Sequence, residues 1–340
     1  MYALTPHYVL TPWTTFGVPV TATYAIHITD ESELQNLIKD APHPSYPRLI
    51  LGGGSNILFT QDFEGLVILI GISGIEHIAE TISSIDIRVG AGENWDEFVA
   101  YCVKHGYGGI ENLSLIPGSV GATPVQNIGA YGVDISETVV SVETVDLQTG
   151  DITVFSNEDC QFAYRSSVFK TVYKNRYAIT HVTYRLSKSP QINTSYVSLS
   201  QALERKSVAS PTIQDVRDTV IELRQSKLPN PQDIGNAGSF FKNVYLSHIS
   251  FPQLQTTYPS IPGIPVSDDT VKVPAAWLIE QCGWKGYREK DYGVYPYQPL
   301  VLVNYGFADG QDIFDLSQRI QRSVYDQFGI MLFGVSKFSI

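Results

Sequence analysis

Three segments of this chain hold the residue types that bind an anion through main chain and short polar side chains. Gly52-Gly53-Gly54-Ser55-Asn56-Ile57 follows the apolar run Arg48–Leu51, and Ile116-Pro117-Gly118-Ser119-Val120-Gly121-Ala122 leads on to Gln126-Asn127-Ile128-Gly129-Ala130-Tyr131-Gly132. Asn236-Ala237-Gly238-Ser239-Phe240-Phe241-Lys242-Asn243 lies much further along. Gly, Ser and Asn at strand ends let backbone N–H groups approach an anion closely, because no bulky side chain intervenes and positive φ is allowed. A large phosphate-bearing cofactor is the ligand this pattern asks for. Ser119, Gly121, Ala122, Gln126 and Asn127 combine small residues with amides suited to a pyrophosphate and to the edge of a flat heterocycle. Taken singly, the first run reads as a tight turn: Ile57 stands where a dinucleotide fingerprint has its third Gly, and no GxxxxGK[ST] occurs.

Two side chains carry chemistry of another kind. Arg165, in Tyr164-Arg165-Ser166-Ser167, has the fork that clamps a carboxylate with two hydrogen bonds, although an edge ion pair explains a lone Arg as well. Ser239, between Gly238 and two Phe residues, is expected in an apolar pocket. Without a His/Asp partner in sequence reach it is a poor nucleophile, but its hydroxyl can donate a proton. Cys102, Cys160 and Cys282 stand far apart without Cys/His ligand spacing, so neither a metal site nor a disulfide scaffold is expected.

The elements that must position these groups read as α+β. Ser32 to Ile38 opens a helix capped by Ser32 or Asp30; Leu49–Leu51, Leu66–Ile70 and Ile85–Val89 read as strands, and Asn94–His105 as a helix ended by glycines. From Glu137 to Leu186 the period-two pattern predicts a largely antiparallel sheet, with strands over Val139–Leu147, Asp151–Phe155 and Ala178–Leu186. Ser187–Ser200 reads as an exposed loop carrying Tyr196. Thr212–Ser226 is a helix that stops before Leu228-Pro229-Asn230-Pro231, a domain boundary. Beyond it lie a helix over Ala275–Cys282, a strand over Leu300–Asn304 and a long amphipathic helix over Asp309–Phe328.

A chain of 340 residues suggests two or three domains. Its net charge of -11 argues against a nucleic-acid partner, which needs clustered Lys and Arg, while leaving a nucleotide ligand open. Met1–Pro12 shows no basic or apolar targeting pattern, and no stretch approaches the roughly 18 apolar residues of a membrane span. A reducing cytoplasm is the expected setting.

Thr14-Thr15-Phe16-Gly17, Leu51 to Ile57, Ile116 to Gly132, Tyr164 to Lys170, Lys227-Leu228-Pro229, Asn236 to Asn243 and Ala275 to Cys282 occur in this order. Together these blocks resemble the UDP-N-acetylenolpyruvoylglucosamine reductases (MurB), over most of the chain, and the Tyr196 segment is similar to the type I subgroup. The resemblance implies non-covalent FAD, held in a PCMH-type fold of two subdomains: residues 1–72 with the tail 329–340, and residues 73–226. It implies a C-terminal α+β substrate-binding domain over 227–328. NADPH would reduce the flavin, and the enolpyruvyl ether of UDP-N-acetylglucosamine would then take hydride at C3.

By the same resemblance Gly52, Gly53, Gly54, Ser55, Asn56, Ile57, Ser119, Gly121, Ala122, Gln126, Asn127 and Gly129 would bind FAD. Arg165 would stabilise the enolate, Ser239 would protonate C2, and Tyr196, Lys227, Asn243 and Gln298 would hold the UDP portion. A monomer acting on a small-molecule substrate is implied. One departure stands out: counting from Gln298 places Val335 where the family has a catalytic Glu, and no Glu follows Glu289. Ser336, one residue on, offers a hydroxyl that can act through a water. Two other readings follow, a relative of the same fold impaired in its second half-reaction, and a PCMH oxidase with covalent flavin. The second calls for a His or Cys in the glycine loops, and neither loop has one.

Overall fold

The structure, a computed structural model, describes residues 4–40, 46–334 and 337–339. The chain divides into two compact units, one of residues 1–8, 22–54 and 64–226, the other of 9–21, 55–63 and 227–340.

In the first unit a four-stranded sheet runs in the order Thr5–Val9, Thr21–Ile28, Phe63–Ile70, Arg48–Leu51, with Arg48–Leu51 parallel to Leu66–Leu69. Helix Glu31–Asp40 lays Leu34, Leu37 and Ile38 on this sheet against Ile26, Ile28, Leu66 and Ile68. Asp30 caps the helix start by accepting from Ser32 N at 2.7 Å. A five-stranded sheet follows, in the order Ile152–Ser156, Val139–Asp146, Tyr177–Ser187, Ser84–Gly90, Ile75–Glu80, antiparallel throughout as the alternation predicts. Its inward residues, Ile85, Ile87, Val89, Val142, Val182 and Tyr184, meet Trp95, Phe98, Val99 and Cys102 of helix Trp95–Lys104. Asn94 caps that helix by accepting from Glu97 N at 3.1 Å.

The stretch expected as an exposed loop to Ser200 turns into helix Val197–Arg205. Its apolar residues Leu199, Ala202 and Leu203 are buried against Val216, Val220 and Leu223 of helix Ile213–Lys227. The short polar window hid this element because its face is complete only when a second helix covers it.

In the second unit a four-stranded sheet is ordered Gly235–Ser239, Val301–Asn304, Tyr292–Val294, Arg288–Glu289, and a three-stranded one Val244–Ser247, Thr270–Val273, Ile264–Ser267. Helix Gly310–Phe328 buries Ile313, Leu316, Ile320, Val324 and Phe328, the helical stripe its sequence predicts, and ends at Gly329 with φ +69°. Strand Ile57–Phe59 pairs in parallel with 337–339.

Candidate functional site

In the first unit the two glycine loops meet. A Cβ on Gly53 would lie 2.9 Å from Gly118 Cα, and one on Gly52 would overlap Ser119 Oγ, so neither position has room for a side chain. The second loop is pinned from below by Trp95 N to Gly118 O at 3.1 Å, Val120 N to Glu93 O at 2.9 Å and Gly121 N to Ala91 O at 2.9 Å. Leu115, at φ +59°, donates its N–H to Asp96 Oδ1 at 2.5 Å. Asp96 also takes the fork of Arg217 at 2.7 and 3.0 Å. Burial pushes the Asp96 carboxyl up, but the Arg217 and Leu115 hydrogen bonds outweigh it and hold the group below the ordinary aspartate range. A charged brace thus fixes the entry to the loop.

Of the residues expected to bind a cofactor, Ser119, Asn127 and Gly54 are buried, Gly52, Ser55, Asn56, Gly121, Gln126 and Gly129 half-buried, and Gly53 and Ala122 exposed. Ile57 is buried as the first residue of its strand, so its side chain belongs to the core. Gln126 accepts from Lys170 Nζ at 3.3 Å.

Arg165 sits at φ +51° in the turn closed by Ala163 and Ser166, whose N–H and C=O groups pair at 3.0 Å in both directions. Asn127 Nδ2 donates to Ala163 O at 3.2 Å and Ser167 Oγ to Val125 O at 2.8 Å, docking this turn on the second glycine loop. The Arg165 guanidinium donates to Gly129 O and, at 3.4 Å, to Asn127 O; it faces Asp134 Oδ1 at 3.6 Å and lies 5.4 Å from the Tyr164 ring centroid. Gly129 permits this approach, since a Cβ there would overlap Asp134 Oδ1 and come within 2.8 Å of Arg165 Nη1. Burial raises the Asp134 carboxyl above its usual range, with Arg165 offsetting only part of the effect. The loop expected to hold the cofactor and the residue expected to hold the substrate carboxylate are therefore one hydrogen-bonded assembly.

Tyr196 is the residue before helix Val197–Arg205, 44% exposed, and meets Tyr131 edge-on at 5.4 Å between centroids. Lys227 ends helix Ile213–Lys227 and is exposed.

In the second unit Ser239 is exposed, whereas Phe240 and Phe241 are buried. The pocket expected around Ser239 is thus not observed: the two aromatics that follow the strand go to the core, while Ser239, the strand's last residue, stays exposed. The turn before it is fixed by Asn236, which accepts from Gly238 N at 2.9 Å and donates to Ile234 O at 2.8 Å, with Gly238 at φ +66°. Phe240 N donates to Leu300 O at 2.7 Å, and Leu300 N to Gln298 Oε1 at 3.4 Å, so Ser239 and Gln298 lie on neighbouring segments. Asn243 Oδ1 accepts from Ala275 N at 3.1 Å at the start of helix Ala275–Gln281, which ties this side chain into the fold. Val335 and Ser336 lie outside the described residues. On one side of them Lys242 N donates to Phe333 O at 2.9 Å and Gly334 bridges Phe241; on the other, 337–339 pairs with Ile57–Phe59.

Among the described residues one group of metal-ligand types converges, Glu31, Glu143 and His181. Arg88 already donates to both Glu143 oxygens at 2.7 Å, which makes the group an ion-pair network. Asp96, Asp134 and Arg217 were absent from the sequence-level site. No spacing signal points to them, because Asp96 meets Arg217, and Asp134 meets Arg165, across long sequence separations.

Residues 230–333 match the C-terminal domain of UDP-N-acetylenolpyruvoylglucosamine reductase, and residues 22–156 match an FAD binding domain. Similar proteins of that first name include one from Amoebophilus asiaticus, 48% identical over 94% of each chain. Another, from Porphyromonas gingivalis, is 47% identical over 96% of each, and one from Pseudomonas aeruginosa is 40% identical over 97% of each. The crystal structure of the Thermus caldophilus reductase superposes with a TM-score of 0.70 at 21% identity, covering both chains fully, which shows a shared fold.

Proposed function

This chain belongs to the UDP-N-acetylenolpyruvoylglucosamine reductase family, and from that premise we propose that it reduces the enolpyruvyl ether of UDP-N-acetylglucosamine to UDP-N-acetylmuramate, a step of peptidoglycan precursor synthesis. The division into 1–72 with the tail, 73–226 and 227–328, a monomeric state and a cytoplasmic setting belong to the same reading.

The residues fit an FAD. Side chains are missing at Gly52, Gly53 and Gly121, where a Cβ would meet Ser119 Oγ, Gly118 Cα or, at 2.6 Å, Ala91 Cβ, and the polar residues Ser55, Asn56, Gln126 and Asn127 follow these glycines in sequence. When bound, FAD supplies the hydride, having been reduced by NADPH. Everything else falls to the chain. Arg165 holds the substrate carboxylate and offsets the charge that grows on it as C2 becomes carbanionic, an interaction stronger in the transition state than in the ground state. Ser239 gives its hydroxyl proton to C2 and regains one from solvent. Tyr196, Lys227, Asn243 and Gln298 hold the UDP portion.

The observation that carries this reading is the Arg165 turn, hydrogen-bonded to Asn127 and Gly129 of the second glycine loop. Anaerobic stopped-flow absorbance at the flavin band tests it. NADPH should bleach the band and the enolpyruvyl sugar nucleotide should restore it; no bleaching with NADPH overturns the reading.

A second reading, a relative slow in its second half-reaction, is favoured by Val335 at the position of the family's Glu. Bleaching with slow recovery is its signature.

A further inference from the structure

One buried amide of the first unit ties together two segments that lie far apart in sequence. Asn112 is buried in the single-turn helix Glu111–Leu113, and its side-chain NH2 group donates to Tyr131 O and to Asn193 O, each at 2.9 Å. Those carbonyls lie 19 and 81 residues further along. Tyr131 belongs to the second glycine loop, and Asn193 stands shortly before Tyr196. Two donors are all that an Asn amide has, so Asn112 gives both to this joint. The turn that carries it is itself anchored: Trp95 Nε1 donates to Leu113 O at 2.9 Å, Gly109 N to Glu111 Oε2 at 2.6 Å and Ser114 Oγ to Glu111 O at 2.6 Å. Asn193 closes the joint from the other side. Its Nδ2 donates to Gly132 O at 3.2 Å, while its Oδ1 accepts from Ser195 N at 3.1 Å and Ser195 Oγ at 2.7 Å, an Asx turn that leads to Tyr196.

Residues 190–195 belong to no helix or strand, so side-chain hydrogen bonds and the packing of Ile192 fix their course. The exposed Tyr196 ring that follows meets the Tyr131 ring edge-on. We propose that Asn112 is a positioning residue: by holding Tyr131 O and Asn193 O on one amide, it sets where Tyr196 stands beside the second glycine loop. Asn112 touches neither substrate nor cofactor in this account, and its effect passes through Tyr196. The inference rests on the reductase reading, in which Tyr196 holds the UDP portion.

Asn112→Ala removes both donors, and Asn193→Ala removes the closing contacts from a half-buried position. On the purified FAD-loaded protein, the Kd for UDP is measured by calorimetry for each variant, alone and combined with Tyr196→Ala. Flavin retention and melting temperature are followed alongside. Asn112→Ala should weaken UDP binding about 10-fold, the scale of one or two net hydrogen bonds. In the Tyr196→Ala background it should add less than about threefold, because residues acting through one another are not additive. A merely structural role lowers melting temperature and flavin retention but leaves the UDP Kd of the loaded protein unchanged, and that outcome overturns the inference. The same loss with and without Tyr196 also overturns it, as does a Tyr196→Ala change that alone leaves UDP binding unaltered. If Asn112→Ala yields no FAD-loaded protein, Asn193→Ala decides: weaker UDP binding that vanishes in the Tyr196→Ala background supports the inference, and unchanged binding overturns it. A wild-type protein that holds neither FAD nor UDP overturns the reductase reading instead.

Discussion

Arg165 and Ser239, the two side chains assigned to the chemistry, are held in opposite ways. Arg165 is fixed by its own turn, by two loop carbonyls, by Asp134 and by Tyr164. Ser239 has its backbone fixed, through Asn236 and the pairing with Val301, while its side chain stays exposed. A group that stabilises developing charge works best when its dipoles need no reorganisation during reaction. A group that gives up a proton must be reloaded each turnover, and access to water does that. On the proposed roles, the contrast teaches that preorganisation stands where a charge is needed and solvent contact where a proton is.

The contrast can be broken by variants. The largest effect is expected for Ser239→Ala, a loss of about 10³-fold or more in reoxidation of reduced flavin by the enolpyruvyl substrate, within the range for general acids. Flavin reduction by NADPH should stay near wild type; equal loss in both half-reactions removes Ser239 as the donor. Arg165→Met should slow the same step by about 10²- to 10³-fold, with Arg165→Lys recovering little because an ammonium lacks the fork. An unchanged substrate step would refute the carboxylate clamp.

The brace below the loop is tested by Asp96→Ala, which strands Arg217 and should cost about 2 kcal/mol in denaturant unfolding, less than a fully buried pair because Asp96 is partly exposed. Since the folded Asp96 carboxyl lies below its ordinary value, its contribution is present above the unfolded aspartate pKa and lost as pH falls through the folded one. The variant should therefore be less acid-sensitive than wild type. Val335→Glu should speed flavin reoxidation by about tenfold or more if the tail serves the reaction, restoring part of what a positioned polar group contributes. The smallest effect is expected for Asp134→Asn, up to about fivefold in KM. Asp134 protonates at a higher pH than an ordinary aspartate, so the wild-type KM should change on the acid side as Arg165 loses its counter-charge, and the variant should lose that limb.

The reading frame of the fold was present in the residues. Period-two runs gave the strands of the five-stranded sheet, and the stripe Ile313, Leu316, Ile320, Val324 gave the long helix. Helix Val197–Arg205 was illegible, because its apolar face reads as polar loop until Val216 and Val220 cover it. The pocket expected around Ser239 failed for a related reason. Phe240 and Phe241 announce an apolar neighbourhood, but whether the residue before them shares their burial depends on the core that receives them.

What the sequence determined by itself is local: glycines where main chain must come close, caps at helix starts, alternation in strands, and seven ordered blocks that name a family. Those follow from backbone sterics and short-range hydrogen bonds, which a few neighbouring residues settle. Only tertiary structure decided that Asp96 takes both Leu115 N and the Arg217 fork, that Asp134 faces Arg165, and that Arg224 is left without an acid among the described residues. Charge pairing acts through space, and a carboxylate can serve only one fork well, so the leftover cation is visible only after every partner has been placed.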